Sequence, residues 1–186
     1  MPKILTVGDA LYWAYANLAM AHKGVSDKDH KYVVLHFSIR AKLFSGLKKK
    51  TMNLGSIADD ERLKMILPQA CCYCGTSERL SLDHLVPTKL GGDDAGDNMV
   101  WACKSCNSSK GCRDMLEWFA KRNEFPPLLL LRRYLKLAIR WFESADLMET
   151  PLETEFPQDV PFKISFLPDK FPPPNELKLW VVELPV

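Results

Sequence analysis

The chain has 186 residues, 47% of them hydrophobic and 26% charged, with a formal net charge of +2. That length holds one domain or a small catalytic module with attached helices, and the apolar fraction excludes a generally disordered chain. No stretch is apolar for long enough to span a bilayer, so no membrane partner is expected.

Charge is unevenly spread. Residues 22–50 carry eight basic side chains, among them Lys48, Lys49 and Lys50, against Asp27 and Asp29, a net +6. Residues 143–186 carry nine acidic side chains against Lys163, Lys170 and Lys178, a net −6. The basic segment suits a phosphate-facing surface, and equally a solvated helix face. Near the start, Lys3 and Ala19-Met20-Ala21 loosely imitate a secretory signal. Gly8, Asp9 and Asn17 interrupt that apolar run, and a helix capped near Asp9 explains it better. A cytoplasmic protein is expected.

In chain order, a helix is predicted over residues 9–22, with Leu11, Tyr15, Leu18 and His22 near one face. A longer one is predicted over 27–49, where Lys48, Lys49 and Lys50 offset the macrodipole at its carboxyl end. A short helix over 57–67 stops before Pro68. Two short strands are expected, at 80–82 and 99–102, then a helix or helix pair over 104–122, broken by Pro126 and Pro127. Residues 128–145 read as an apolar helix with Arg132, Arg133 and Arg140 as a basic stripe. Eight of the 13 prolines lie between Pro151 and Pro185, which excludes a long helix there, although residues 177–184 can form one strand. The expected organisation is a helical, basic region over 1–67 and a central module over 68–122. A helical extension over 123–149 and a proline-rich acidic tail over 150–186 follow.

All six cysteines lie between Cys71 and Cys112. Cys71-Cys72-Tyr73-Cys74-Gly75 and Cys103-Lys104-Ser105-Cys106 form two C-x2-C pairs. Two thiolates at this spacing on a tight turn supply half a tetrahedral zinc site, and two such pairs complete it. A disulfide framework needs an exported protein, and a redox motif needs one pair, so structural zinc on Cys71, Cys74, Cys103 and Cys106 is expected. Cys72 and Cys112 are left over. Zinc ribbons usually separate their pairs by about 15–20 residues. Here 28 intervene, so the insert has work of its own.

The insert holds Leu82-Asp83-His84-Leu85-Val86-Pro87, then Gly91-Gly92 and Asp97-Asn98, and Cys103-Lys104-Ser105-Cys106-Asn107-Ser108-Ser109-Lys110 follows. This pattern resembles the HNH endonuclease family, in the subgroup whose ββα-metal fold is tied by two C-x2-C knuckles. The resemblance covers roughly residues 68–120, and Asn107 stands where many members place histidine. It implies a mainly helical chain around a small ββα-metal centre, hydrolysing phosphodiester bonds of nucleic acid, with DNA the expected substrate. His84 is the candidate general base, since imidazole titrates near neutrality. Asp83, alternating to the other side of the strand, is a candidate ligand for a divalent cation, with the amide oxygen of Asn107 as the second. Two oxygen ligands favour Mg²⁺ or Mn²⁺. By resemblance, Asn98 pins the loop behind His84. Lys104 and Lys110 are candidate phosphate contacts, together with Lys48, Lys49, Lys50, Arg132 and Arg133. Trp101 and Trp118 read as packing residues. A module of this kind carries little sequence recognition of its own, which leaves specificity or regulation to the flanks or to a protein partner. Bacterial or phage restriction and defence systems are the associational context. The competing class is a non-catalytic zinc-binding adaptor for nucleic acid or protein.

Overall fold

Thr6 opens the first helix, α1 (Val7–Ser26): its hydroxyl accepts from Asp9 N at 3.1 Å, while Asp9 Oδ2 accepts from Leu5 N at 3.1 Å. This reciprocal cap starts the helix earlier than residue 9. The computed structural model describes residues 2–157 and 160–182. α1 ends where Lys28 adopts φ 58°, so that Lys28 N and Asp29 N return to the carbonyls of Val25 and Gly24. That left-handed closure satisfies the last carbonyls and forbids a helix over 27–33, contrary to the sequence expectation. The second helix, α2, therefore spans only Val34–Lys48, and His36 Nδ1 accepts from Val33 N at 3.0 Å to close its first turn.

α1 is the central element, packed by α2, by α6 (Leu128–Ser144) and by the carboxyl-terminal segment. Leu11, Leu18, Leu131, Leu135, Ile139 and Phe142 form its core. α3 (Ile57–Ile66), capped by Ser56, lies against α6. Two of the three arginines expected as a basic stripe on α6 face this helix. Arg132 and Lys136 both bind the buried Asp60, at 2.6 Å each, and the buried Arg133 pairs with Glu61. Arg132 and Arg133 are thus taken up in internal ion pairs, which a helical-periodicity reading cannot separate from a solvated face, whereas Arg140 stays largely exposed.

The sheet is one antiparallel hairpin, β1 (Leu80–His84) with β2 (Met99–Cys103), with Asp83 opposite Val100 and His84 opposite Met99. α4 (Lys104–Lys110) follows directly and packs on both strands. Gly111, at φ 55°, ends it, and Asp114 caps α5 (Met115–Lys121) through Leu116 N at 2.8 Å and Glu117 N at 3.1 Å.

The acidic segment folds back on the helices. Thr6 bridges Pro151, and Val160, Phe162 and Leu177 are buried, with Phe162 edge-on to Tyr134 at 5.3 Å. No strand forms over the described part of 177–184. Instead the carbonyls of Lys178 and Leu179 accept from Leu128 N and Leu129 N, satisfying the first turn of α6, which Pro127 leaves without a side-chain cap. Glu183 and Leu184 of that expected strand, like Asp159, lie outside the described residues. Burying three such side chains contributes about 1.5–3 kcal/mol each, a large share of an ordinary domain's roughly 5–15 kcal/mol. Deletion of residues 150–186 is therefore expected to abolish cooperative unfolding, as followed by circular dichroism. A truncated chain with a sharp, near-parental melt would show that the segment merely rests on the surface.

Candidate functional site

The two cysteine pairs meet where β1, β2 and α4 converge. Sulfurs of Cys71, Cys74, Cys103 and Cys106 all lie within 4.8 Å of one another, and Cys74 Sγ is 3.8 Å from Cys103 Sγ. A tetrahedral zinc about 2.3 Å from each sulfur requires sulfur–sulfur edges of about 3.8 Å, so the four thiols fit a structural zinc. Cys103 caps α4, its sulfur accepting from Cys106 N at 3.4 Å. That backbone N–H draws the Cys103 thiol down to about 7, whereas burial pushes Cys106 up. Gly75 adopts φ 83°, the left-handed conformation that lets the first knuckle turn back. Of the two remaining cysteines, Cys72 is fully buried and Cys112 is exposed.

A second gathering of metal-type side chains, Asp27, Asp29 and His36, lies at the start of α2. His36 Nδ1 already accepts a backbone N–H, so a neutral ring carries its proton on Nε2, the atom facing Asp29 at 3.3 Å. A protonated nitrogen is no ligand.

Alternation along β1 sends Asp83 and His84 to opposite sides of the hairpin. Asp83 turns inward and is buried. Its Oδ2 accepts from the Tyr73 hydroxyl at 2.8 Å, and Lys110 Nζ lies 3.2 Å from Oδ2 and 3.4 Å from Oδ1. Burial holds the Tyr73 hydroxyl well above its ordinary value, so it remains a donor. Lys110, expected among the phosphate contacts, is 1% exposed, on the face of α4 that meets β1. Asn107, three residues earlier, shares that helix face and is half-buried. A carboxylate offers about four lone-pair directions, and Asp83 spends two or three of them. A carboxylate with lone pairs to spare and an amide oxygen are the donor types that a hard divalent cation takes.

His84 sits on the outer side, with its ring partly exposed and Nε2 at 2.8 Å from Asp94 Oδ1. A carboxylate partner accepts from Nε2–H, so in the tautomer that makes this contact a neutral ring has its lone pair on Nδ1. Asp94 is a partner that sequence reading missed. Its signal was the acidic pair after the glycine turn, Gly91-Gly92-Asp93-Asp94. Asn98, 2% exposed, ties this loop down: its Oδ1 accepts from Val86 N at 2.8 Å, and its Nδ2 donates to Val86 O at 2.9 Å and Asp93 O at 2.7 Å. Gly92 lets the loop close, since a Cβ there would stand 2.0 Å from Val86 O.

The flanking helices hold the same loop. Arg133 donates to Asp97 O at 3.2 Å, Arg140 pairs with Asp97 Oδ2 at 3.0 Å, and Lys64 donates to Gly96 O at 2.8 Å and Met99 O at 3.1 Å. Trp118 packs edge-on to Tyr73 at 5.1 Å and its Nε1 donates to Ser109 Oγ at 3.1 Å, while Trp101 is half-buried on β2. Of the remaining candidate phosphate contacts, Lys49, Lys50 and Lys104 are exposed, and Lys48 pairs with Asp9 at 2.5 Å, remote in sequence from the hairpin. Arg133→Ala is expected to cost about 2–3 kcal/mol, because Glu61 and the 96–98 turn lose a buried cation. Thermal melting reads that loss. An unchanged melting temperature with a flatter salt dependence of nucleic-acid binding would instead make Arg133 a backbone contact.

Residues 71–113 match the family model described as HNH endonuclease. No curated protein and no solved structure matches the chain. Among the described residues, no helix is long and apolar enough to cross a membrane. A hairpin and helix bound by two C-x2-C knuckles, an Asp-His pair at the end of the first strand, and this match together place an HNH endonuclease domain of the zinc-knuckle subgroup at residues 71–113.

Proposed function

We propose that the chain is a metal-dependent endonuclease that hydrolyses phosphodiester bonds of DNA. The observation that carries this reading is the division made by β1, with an inward carboxylate at Asp83 and an outward imidazole at His84 on consecutive residues. Hydrolysis needs both at one phosphate: an anionic ligand for the cation and a base to take the proton of the attacking water. An adaptor has use for neither.

In this reading His84 Nδ1 takes the proton of the attacking water, and Asp94 holds the ring by its Nε2–H. Asn98 fixes the loop that presents Asp94, and Asp83 with Asn107 holds Mg²⁺ or Mn²⁺. When bound, that cation supplies a Lewis acid for the charge that develops on the phosphate oxygens. Exposed Lys49, Lys50 and Lys104 are candidates for backbone contacts that carry no sequence information. Sequence choice then rests with a protein partner or with the helical flanks. A role as the nuclease subunit of a restriction or defence system, acting in the cytoplasm, follows the same association.

The test offers DNA duplex and structured RNA side by side, with Mg²⁺ or Mn²⁺ and with a chelator of those ions. Cleavage of DNA alone, lost on chelation, is the expected result. Cleavage of RNA alone would move the substrate class, and cleavage of neither would favour the adaptor.

A further inference from the structure

Hydrolysis does not require the buried cation that this site contains. Lys110, the last residue of α4, is 1% exposed. Its ammonium lies 3.2 Å from Asp83 Oδ2, donates to His84 O at 3.0 Å, and reaches Gly111 O at 3.4 Å. It therefore grips both residues that β1 brings to the site, one by its side chain and the other by its backbone. Burying an ammonium is costly unless it is paired and hydrogen-bonded, and here it is both. Together with Tyr73, Lys110 fixes the Asp83 carboxylate from two sides.

The charge sum matters as much as the geometry. Asp83 and Lys110 cancel, so the inward side of the hairpin offers an arriving divalent cation oxygen atoms but no net negative charge. Mg²⁺ sites commonly supply one or two carboxylates and take the rest of the charge from substrate phosphate. A neutralised single carboxylate is the extreme of that arrangement.

We infer that Lys110 is a positioning residue that makes cation loading depend on the nucleic-acid phosphate. This rests on the reading of Asp83 as a cation ligand. Without nucleic acid, Lys110 occupies the charge of Asp83 and the cation is held weakly. When a phosphate enters, it brings the missing negative charge, and cation and substrate bind cooperatively. The coupling is reciprocal: the cation tightens the duplex by the same factor by which the duplex tightens the cation. Such a site is loaded on its substrate and stays paired away from it.

The test measures free Mn²⁺ by electron paramagnetic resonance during titration of the full, zinc-loaded chain, with and without a phosphorothioate DNA duplex that resists cleavage. The parent is expected to bind Mn²⁺ weakly alone and about tenfold or more tightly with the duplex. Lys110→Gln keeps hydrogen-bond donors and removes the charge. It is expected to bind Mn²⁺ alone about tenfold more tightly than the parent and to lose most of the duplex effect. Lys110→Arg, which keeps the charge, should retain the parental pattern. Lys110→Gln with parental affinity and a parental duplex effect, alongside loss of Mn²⁺ in Asp83→Asn, overturns the role of Lys110 and leaves the Asp83 reading standing. Weaker Mn²⁺ binding by Lys110→Gln overturns it as well, because Lys110 would then only support the fold. Full Mn²⁺ binding by Asp83→Asn overturns the Asp83 reading, and the inference with it. If Lys110→Gln does not fold, the ammonium resonance of Lys110 in ¹⁵N-lysine-labelled parent decides. It should move on adding Mg²⁺ with the duplex and stay put with either alone, and a resonance indifferent to both together contradicts the inference.

Discussion

His84→Ala is expected to lower DNA cleavage by about 10²–10⁴-fold, the usual contribution of a placed general base. The structure makes this a clean substitution. His84 ends β1, its ring is partly exposed, and its side-chain partner Asp94 is itself largely solvated, so removing the imidazole opens no core cavity and strands no buried charge. The backbone carbonyl that Lys110 uses survives the change. Zinc content, melting temperature and duplex affinity should all remain near parental. Single-turnover cleavage beside a binding titration separates the cases. A His84→Ala chain that cuts within a few-fold of the parent shows that another group takes the proton.

Cys103→Ser should have the largest effect on the fold. Structural zinc contributes roughly 10–16 kcal/mol in small finger peptides, more than most domains have in total. Cys103 joins three tasks: it is one of the four clustered thiols that fit zinc, it ends β2 opposite Leu80, and it caps α4 through Cys106 N. A serine keeps only part of the cap. The variant is expected to be largely insoluble or unfolded, with zinc lost in proportion. Strong chelation or acidification should unfold the parent for the same reason, since protons compete with zinc for the sulfurs. The two remaining cysteines serve as controls. Cys112→Ser, exposed, should be neutral, whereas Cys72→Ser buries a hydroxyl and should cost about 1–3 kcal/mol. A folded, zinc-free Cys103→Ser chain with a parental melt would contradict the staple.

Much of the centre was legible because its constraints are local. Thiolate spacing, the alternation of Asp83 and His84 and the glycine turn each act over a few residues, and sequence shows such patterns directly. Longer-range pairings were not legible. Nothing in the helical periodicity of residues 128–145 distinguishes an arginine that faces water from one that meets Asp60 or Glu61, about seventy positions earlier. Lys110 was read as a surface residue for the same reason, its partner Asp83 lying in another element. The boundary near residue 27 was missed because a non-glycine residue, Lys28, takes the left-handed position. The run from Leu177 reads as a strand by composition, but the carbonyls of Lys178 and Leu179 are taken up by the uncapped start of α6.

The most direct measurement is of covalently closed circular DNA incubated with the zinc-loaded chain, first stripped of loosely held cations and then resupplied with Mg²⁺ or Mn²⁺. Closed circles have no ends, so any opening is endonucleolytic. The HNH reading predicts no opening before the cation is added, opening afterwards, and none at any cation concentration with His84→Ala. Circles that stay closed under a folded, zinc-bound, cation-supplied parent, or that open equally with His84→Ala, would contradict it.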